Sequence, residues 1–266
     1  MALPAPDRRM RAVVTGASSG IGRALARELA RRGHHLILVA RSEDKMAALA
    51  AEVAADHGVE AEIRPCDLAD PEARAAFLRD LDAESVSIMI NCAGIATFGR
   101  FQDLDRDYER AQFELNATAL FELTQAVVTP MVARGSGAIL NVGSAAGTTV
   151  IPNNATYVGT KAFVNTFTEA LHYDLRGTGV HCTLLAPGPV RPDERDDGAN
   201  EVDEAVPDFL WTGTEDCARD SLDALADNRL RVVPGILSKG MNGAGTYLPR
   251  RLLAPIIGRF YEGMAQ

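Results

Sequence analysis

Short apolar runs alternate along the chain with longer stretches in which apolar residues recur every three or four positions. The runs at 11–15 (RAVVT), 35–40 (HLILVA), 59–65 (VEAEIRP), 86–91 (VSIMIN), 137–144 (GAILNVGS) and 180–187 (VHCTLLAP) predict strands, and 230–235 (LRVVPG) predicts a seventh. Helical spacing predicts helices over 21–33, over 42–58 with Ser42 as N-cap, and over Pro71 to Asp82. Further helices are predicted as one long element from Asp105 to Ala133, as Thr156 to Arg176, and as Thr212 to Asp227, opened by a capping box of Thr212 with Glu215.

Strands that are apolar almost throughout and alternate with helices imply a parallel sheet covered on both faces. The expected fold is therefore α/β, a doubly wound parallel sheet forming a single domain over 1–266, with no internal repeat to divide it. Two regions break the rhythm. Residues 191–208 form a long, mostly acidic connection that leads into Phe209 and Trp211, so 191–228 is expected to act as a lid. The extension 241–266 mixes Arg250, Arg251 and Arg259 with an apolar stripe; it suits a helix docked on the domain or on a second subunit, or else contact with a membrane surface.

Composition narrows the class. The 266 residues carry a formal net charge of −9, which argues against a nucleic-acid partner, and 47% are apolar, as in an ordinary globular protein. Cys66, Cys92, Cys182 and Cys217 lack metal-type spacing and read as small buried hydrophobes in a reducing compartment. Neither a signal-peptide core nor a membrane-spanning run is present, so a cytoplasmic protein is expected.

Candidate chemistry begins at the first turn. Gly16, Gly20 and Gly22 stand between the first strand and the first helix, where glycine lets a pyrophosphate approach the helix N-terminus. Such a set can also be a tight turn without a ligand; its place in a βαβ unit favours a dinucleotide. The second strand ends in Ala40, Arg41 and Ser42, with no carboxylate to bind a ribose 2′-hydroxyl. A guanidinium there suits a 2′-phosphate, which predicts NADP(H) over NAD(H). The alternative is a solvated arginine, since Glu43 and Asp44 follow closely.

The motifs TGASSGIG (15–22), CDL (66–68), NCAG (91–94), Asn116, Ser144, YVGTK (157–161) and PGPV (187–190) together resemble the short-chain dehydrogenase/reductase family, over about residues 11–190. The resemblance implies a Rossmann-type fold and a nicotinamide cofactor. It implies that Ser18, Ser19, Ile21, Ala93, Pro187, Gly188 and Val190 line the cofactor site with the glycines. Asp67 would bind the adenine amino group with Leu68 behind the ring, and Asn91 and Gly94 would shape the fourth strand's end beside the adenosine ribose. Tyr157 would be the proton donor and acceptor, Lys161 would hold the nicotinamide ribose and tune Tyr157, Ser144 would bind the substrate oxygen, and Asn116 would anchor a water leading from Lys161 to solvent. Homodimers or homotetramers, joined through the helices at about 105–133 and 156–176, are implied in the same way.

Elementary chemistry supports the catalytic part. A free phenol titrates near about 10 and is a poor base at neutral pH, and an adjacent ammonium favours its phenolate. Residues four apart on a helix share a face, so Tyr157 and Lys161 can act together. Two departures from the family pattern stand out: Cys92 replaces a common asparagine, and Pro192 replaces a threonine that would bind the carboxamide, leaving that contact to backbone such as Val190.

Substrate-facing candidates are Ser144, Ala145, Ala146, Asn153, Asn154, Phe209 and Trp211; the two aromatics either wall the pocket or anchor the lid. The PGPV turn and the arginine-rich tail look like the ketoacyl and hydroxysteroid reductases of the family. The expected activity is NADP(H)-dependent interconversion of a carbonyl and a secondary alcohol on an apolar small molecule. The alternatives are a 3-oxoacyl-thioester reductase of lipid synthesis and a non-catalytic NADP-sensing protein.

Overall fold

In a computed structural model of the chain, residues 2–191 and 211–235 are described. The strands are β1 (Arg11–Thr15), β2 (Leu36–Ala40), β3 (Ala61–Pro65), β4 (Val86–Asn91), β5 (Gly137–Val142), β6 (Val180–Leu185) and β7 (Arg231–Val232). They form one sheet in the order β3-β2-β1-β4-β5-β6-β7. Every neighbouring pair is parallel. The chain builds outward from β1 to β3 and then crosses back to lay β4 beside β1. This reversal opens a crevice beyond the C-terminal ends of β1 and β4, where doubly wound sheets bind ligands.

The helices are α1 (Gly20–Arg31), α2 (Glu43–His57), α3 (Pro71–Asp80), α4 (Arg106–Phe113), α5 (Leu120–Arg134), α6 (Ala155–Asp174) and α7 (Thr214–Ala226). Side chains alternate across the sheet and divide the core. Ala12, Val14, Ile88 and Ile90 pack with Leu25 and Leu29 of α1, Met46 and Leu49 of α2, and Leu222 of α7. Val13 and Met89, one residue out of phase, pack with Phe77 of α3 and Leu123, Val127 and Met131 of α5. Every residue of β4, β5 and β6 is buried, as expected for strands covered on both faces. The doubly wound sheet thus stands as expected.

Three local readings need correction. The helix expected from Asp105 to Ala133 contains a π-helical segment, Glu114–Ala119, between α4 and α5. The Thr212–Glu215 capping box does not form: α7 starts at Thr214 with Gly213 at its N-cap and no side-chain cap. Thr212 is instead tied into a bridge with Val190. Ser42 does occupy the N-cap of α2, but its hydroxyl makes no capping hydrogen bond. By contrast Asp70 caps α3, its Oδ1 accepting from the Glu72 and Ala73 amides, with Pro71 pre-set for the first turn.

Cys182 and Cys217 are buried as expected, whereas Cys66 and Cys92 are only half-buried and line a cavity. All four are free thiols. Among the described residues no helix is long and apolar enough to cross a membrane. Residues 192–210 of the expected lid and the whole extension 241–266 lie outside the described residues.

Candidate active site

A cavity of about 490 Å³ occupies the crevice at the C-terminal ends of β1 and β4. One wall is the turn from β1 into α1. Gly16 and Gly20 have φ of 67° and 51°, in the left-handed region that glycine enters without strain. A Cβ on Gly22 would overlap the Gly16 carbonyl, so α1 can start against the turn only because that atom is missing. Ser18, Ser19, Gly20, Ile21 and Gly22 all line the cavity at the helix N-terminus, where amide N–H groups favour an anion. Thr15 braces the opposite wall: its hydroxyl accepts from the Cys92 and Ala93 amides at 2.9 and 3.1 Å.

Arg41 and Ser42 lie at the end of the cavity beyond β2. Arg41 is exposed and, among the described residues, has no ion pair with Glu43, Asp44 or any other carboxylate. Asp67 and Leu68 line the same end after β3. Asp67 Oδ1 accepts from the Ala69 amide at 3.0 Å, and Leu68 is buried. The Leu68 carbonyl is held by Arg74 Nη1 at 2.7 Å. Arg74, itself buried, also reaches Glu114 and Glu122 at 2.9 and 2.7 Å, so one guanidinium joins this loop to the π-helical segment and α5.

The far end holds Ser144, Tyr157 and Lys161. Tyr157 and Lys161 share a face of α6, with the Lys161 ammonium 5.7 Å from the Tyr157 ring centre. Lys161 is buried and its Nζ donates to the Val142 carbonyl at the end of β5, at 2.8 Å. Burial pulls its pKa down to about 8, with the Cys92 thiol opposing that shift. Burial pushes the Cys92 thiol up to about 11, partly offset by Lys161. Ser144 follows β5, and its Oγ accepts from the Ala146 amide at 3.0 Å, which leaves the hydroxyl proton available to a ligand oxygen. Pro187, Gly188 and Val190 close the cavity over β6. The Val190–Thr212 bridge uses the carbonyl of Pro189, the amide of Arg191 and both groups of Thr212; Val190's own amide and carbonyl take no part in it.

Several candidates stand elsewhere. Asn91 does not line the cavity; its amide donates to Thr124 Oγ1 and Asn141 Oδ1 and ties β4 to α5 and β5. Asn116 sits in the π-helical segment, where its side chain accepts from the Ile95 amide and donates to the Ile95 carbonyl and to Thr160 Oγ1. It therefore holds the loop after Gly94 rather than facing the cavity. Ala145, Ala146, Asn153, Asn154 and Trp211 also lie off the lining. Asn154 is buried, and Trp211 carries the Arg191 guanidinium 5.9 Å from its ring. Phe209 lies outside the described residues. The lining also includes Val39, Ala40, Cys66, Cys92, Ile95, Ala96, Leu115, Val142 and Gly143, none of which was a candidate site residue. Sequence reasoning also missed Asn165, whose amide bonds the main chain of Ser144. Residues 95 and 96 directly follow the NCAG motif and could have been inferred from it.

A doubly wound sheet with a glycine turn at its switch-point crevice is the architecture of dinucleotide-binding folds, and here Ser144, Tyr157 and Lys161 line the same crevice. The chain belongs to the short chain dehydrogenase family, whose model matches residues 10–201. It is 34% identical to a very-long-chain 3-oxoacyl-CoA reductase of Anas platyrhynchos, over 66% of this chain and 58% of that protein. The chain thus spans little more than half the length of that relative. A solved 7beta-hydroxysteroid dehydrogenase superposes with a TM-score of 0.85 at 24% identity, covering 97% of this chain and 99% of the other. A short-chain dehydrogenase from Sphingobium yanoikuyae in complex with NADPH gives 0.77 at 30% identity, over 90% and 96%.

The lowered Lys161 pKa has a measurable consequence. Between about 8, where the folded protein releases this proton, and 10.5, the ordinary lysine value, the unfolded chain binds more protons than the folded one. The cost of burying the ammonium is full below that window and is relieved as pH rises through it. Relative to Lys161→Met, the ligand-free wild type should therefore gain unfolding free energy across this range, with a slope approaching about 1.4 kcal/mol per pH unit. Urea titrations at stepped pH test this; a constant difference between the two proteins would contradict the burial argument.

Proposed function

We propose that the protein is an NADP(H)-dependent oxidoreductase that interconverts a carbonyl and a secondary alcohol on an apolar small molecule. The observation that carries the reading is the placement of Ser144, Tyr157 and Lys161 at one end of a cavity whose other end is the glycine turn with Arg41. The cavity fits the cofactor chemically. Missing Cβ atoms make room for phosphates at the α1 N-terminus, Arg41 offers an uncommitted cation at the ribose end, and Val190 offers a backbone donor and acceptor in place of the side chain that Pro192 lacks. The NADPH in the Sphingobium yanoikuyae structure supports the same choice.

When bound, the nicotinamide supplies or takes the hydride. In the reducing direction the Tyr157 hydroxyl gives its proton to the carbonyl oxygen, and the Ser144 hydroxyl donates a hydrogen bond to that oxygen as charge develops on it. Lys161 stabilises the phenolate left behind through its charge, held in place by the Val142 carbonyl. In oxidation the phenolate takes the alcohol proton. The name of the Anas platyrhynchos relative favours one narrower reading, a reductase of 3-oxoacyl thioesters, and it makes acyl chains the first substrates to try.

Assembly through the α4–α5 and α6 faces belongs to the same proposal. Phe113, Phe121, Phe163 and Tyr173 leave large apolar surfaces exposed there, and Phe163 and Phe121 both pack on Phe167, at 5.5 and 5.9 Å between ring centres. A contiguous aromatic patch of this kind suits a partner copy.

Three outcomes are expected. In an NADPH-oxidation screen of ketones and 3-oxoacyl thioesters of graded chain length, the wild type turns over and Tyr157→Phe loses at least about 100-fold in kcat with cofactor affinity retained. A wild type no faster than that variant on every compound would favour a binding protein. Arg41→Ala raises the NADPH Kd about 10-fold or more and leaves the NADH Kd nearly unchanged, as read by cofactor fluorescence; equal effects on both cofactors would remove Arg41 from the phosphate site. Replacing both Phe121 and Phe163 by Glu lowers the mass seen by light scattering to that of a single chain, whereas an unchanged mass would place the interface elsewhere.

A further inference from the structure

Asn165 lies one helical turn beyond Lys161 on α6, is buried, and does not reach the cavity lining. Its amide closes on the main chain of Ser144: Oδ1 accepts from the Ser144 N–H at 3.3 Å and Nδ2 donates to the Ser144 carbonyl at 2.9 Å. A carboxamide presents the same donor and acceptor as a peptide group, so this pair acts like one more rung of strand pairing at the end of β5. Such a rung is needed there. The Gly143 and Ala145 amides turn towards the β6 side, to Leu185 and Pro187. Those of Ser144 turn away from it, and pairing with β4 has already ended at Asn91–Asn141. Among the described residues the Ser144 N–H has no other acceptor, while its carbonyl also accepts from Gly147 N at 3.1 Å.

Two glycines make the slot. A Cβ on Gly143 would overlap Asn165 Oδ1, and one on Gly147 would lie 2.6 Å from Asn165 Nδ2 and 2.6 Å from the Lys161 carbonyl. The end of β5 is thus gripped twice by one helix: at the Val142 carbonyl by Lys161, and at Ser144 by Asn165. The same helix carries Tyr157.

We propose that Asn165 is a positioning residue that sets the Ser144 hydroxyl against Tyr157 and Lys161 by holding the Ser144 backbone. The proposal rests on the Ser-Tyr-Lys reading of the site. It separates from a merely stabilising role, because a residue that acts through Ser144 has little left to do once the Ser144 hydroxyl is gone.

The test is a double-mutant cycle with the NADPH-oxidation assay, on whichever ketone or 3-oxoacyl thioester of the panel the wild type reduces fastest. Asn165→Ala is expected to lower kcat about 10- to 100-fold in the wild type. In the Ser144→Ala background it should lower kcat by no more than about twofold, with the NADPH Kd unchanged in both. Equal losses in the two backgrounds, or no loss in the wild type, overturn the proposal. Asn165→Asp keeps the shape if the alanine variant fails to fold. Its carboxylate would face the Ser144 carbonyl, whereas the protonated acid can donate to it, so kcat relative to wild type should recover as pH falls; a flat ratio counts against the clamp. Hydrogen exchange on the ligand-free protein gives a readout independent of turnover: Asn165→Ala should speed exchange over 143–149 at least about tenfold and leave β1 unchanged, and unaltered exchange refutes the clamp. Ser144→Ala and Tyr157→Phe separate the two readings. If both keep full activity, the catalytic assignment fails and the proposal falls with it; if both lose activity while the Asn165 variants keep it, only the role of Asn165 fails.

Discussion

A buried ammonium group governs the end of the cavity that Ser144, Tyr157 and Lys161 line. Among the described residues Lys161 has no carboxylate to neutralise it, and its Nζ donates to the Val142 carbonyl. Desolvation of this kind is costly, and the lowered pKa is its signature. The surrounding frame confines the side chain on two sides. α6 lies against β5 and β6, and Gly94 closes the other side, where a Cβ would come 3.5 Å from Nζ and 3.2 Å from Asn116 Oδ1. An ion pair would stabilise the lysine better and would also spend its field. Held only by a neutral carbonyl, the charge stays available to whatever anion forms beside it, such as the phenolate of Tyr157.

Keeping a cation in that position requires rigid neighbours, and polar networks in the second layer supply them. Asn91, Asn141, Thr124 and Thr168 run as a chain of side-chain hydrogen bonds across β4 and β5 into α5 and α6. Arg74 does the same on the other flank, joining the Leu68 carbonyl to Glu114 and Glu122. Removing a partner from such a buried pair would leave an uncompensated charge, so these links specify geometry more than they add stability. The π-helical segment 114–119 lies where the two networks approach, and it places Asn116 on both backbone groups of Ile95. Fixing the loop after Gly94 in this way fixes the floor of the cavity beneath Lys161.

Legibility in the sequence followed the physics of each part. The strand at 86–91 was read to the residue, because a strand buried on both faces is an uninterrupted apolar run between turn residues. The π-helical segment left no such trace: one extra residue per turn shifts apolar spacing by less than sequence periodicity resolves. The Thr212 capping box failed because Thr212 gives its backbone to the bridge with Val190, a tertiary contact that local propensity cannot weigh. Glycines and Arg41 were legible because their chemistry is set by position in a βαβ unit. Asn165 was not. A lone amide within a helix looks like surface polarity until the strand end it satisfies is known. Asn153, Asn154 and Trp211 do not line the cavity, since nearness to Ser144 in sequence does not fix which way a side chain faces.

These differences expose a division of labour. The end of the cavity at the glycine turn is made mostly of backbone, and an added Cβ at Gly16 or Gly22 would meet main-chain atoms there. Residues from one helix instead shape the other end: Tyr157, Lys161 and Asn165 recur at intervals of four along α6. A rigid helix keeps those three in fixed relation whatever the rest of the sheet does, and the two grips on β5 transfer that relation to Ser144. A movement of α6 together with the end of β5 would therefore carry Ser144, Tyr157 and Lys161 as one body and leave the distances among them unchanged. Its distance from the glycine turn, set by the sheet through β1 and β4, would change instead. The internal geometry of Ser144, Tyr157 and Lys161 is in this sense local to α6 and the end of β5, while their distance from the glycine turn is a property of the whole fold.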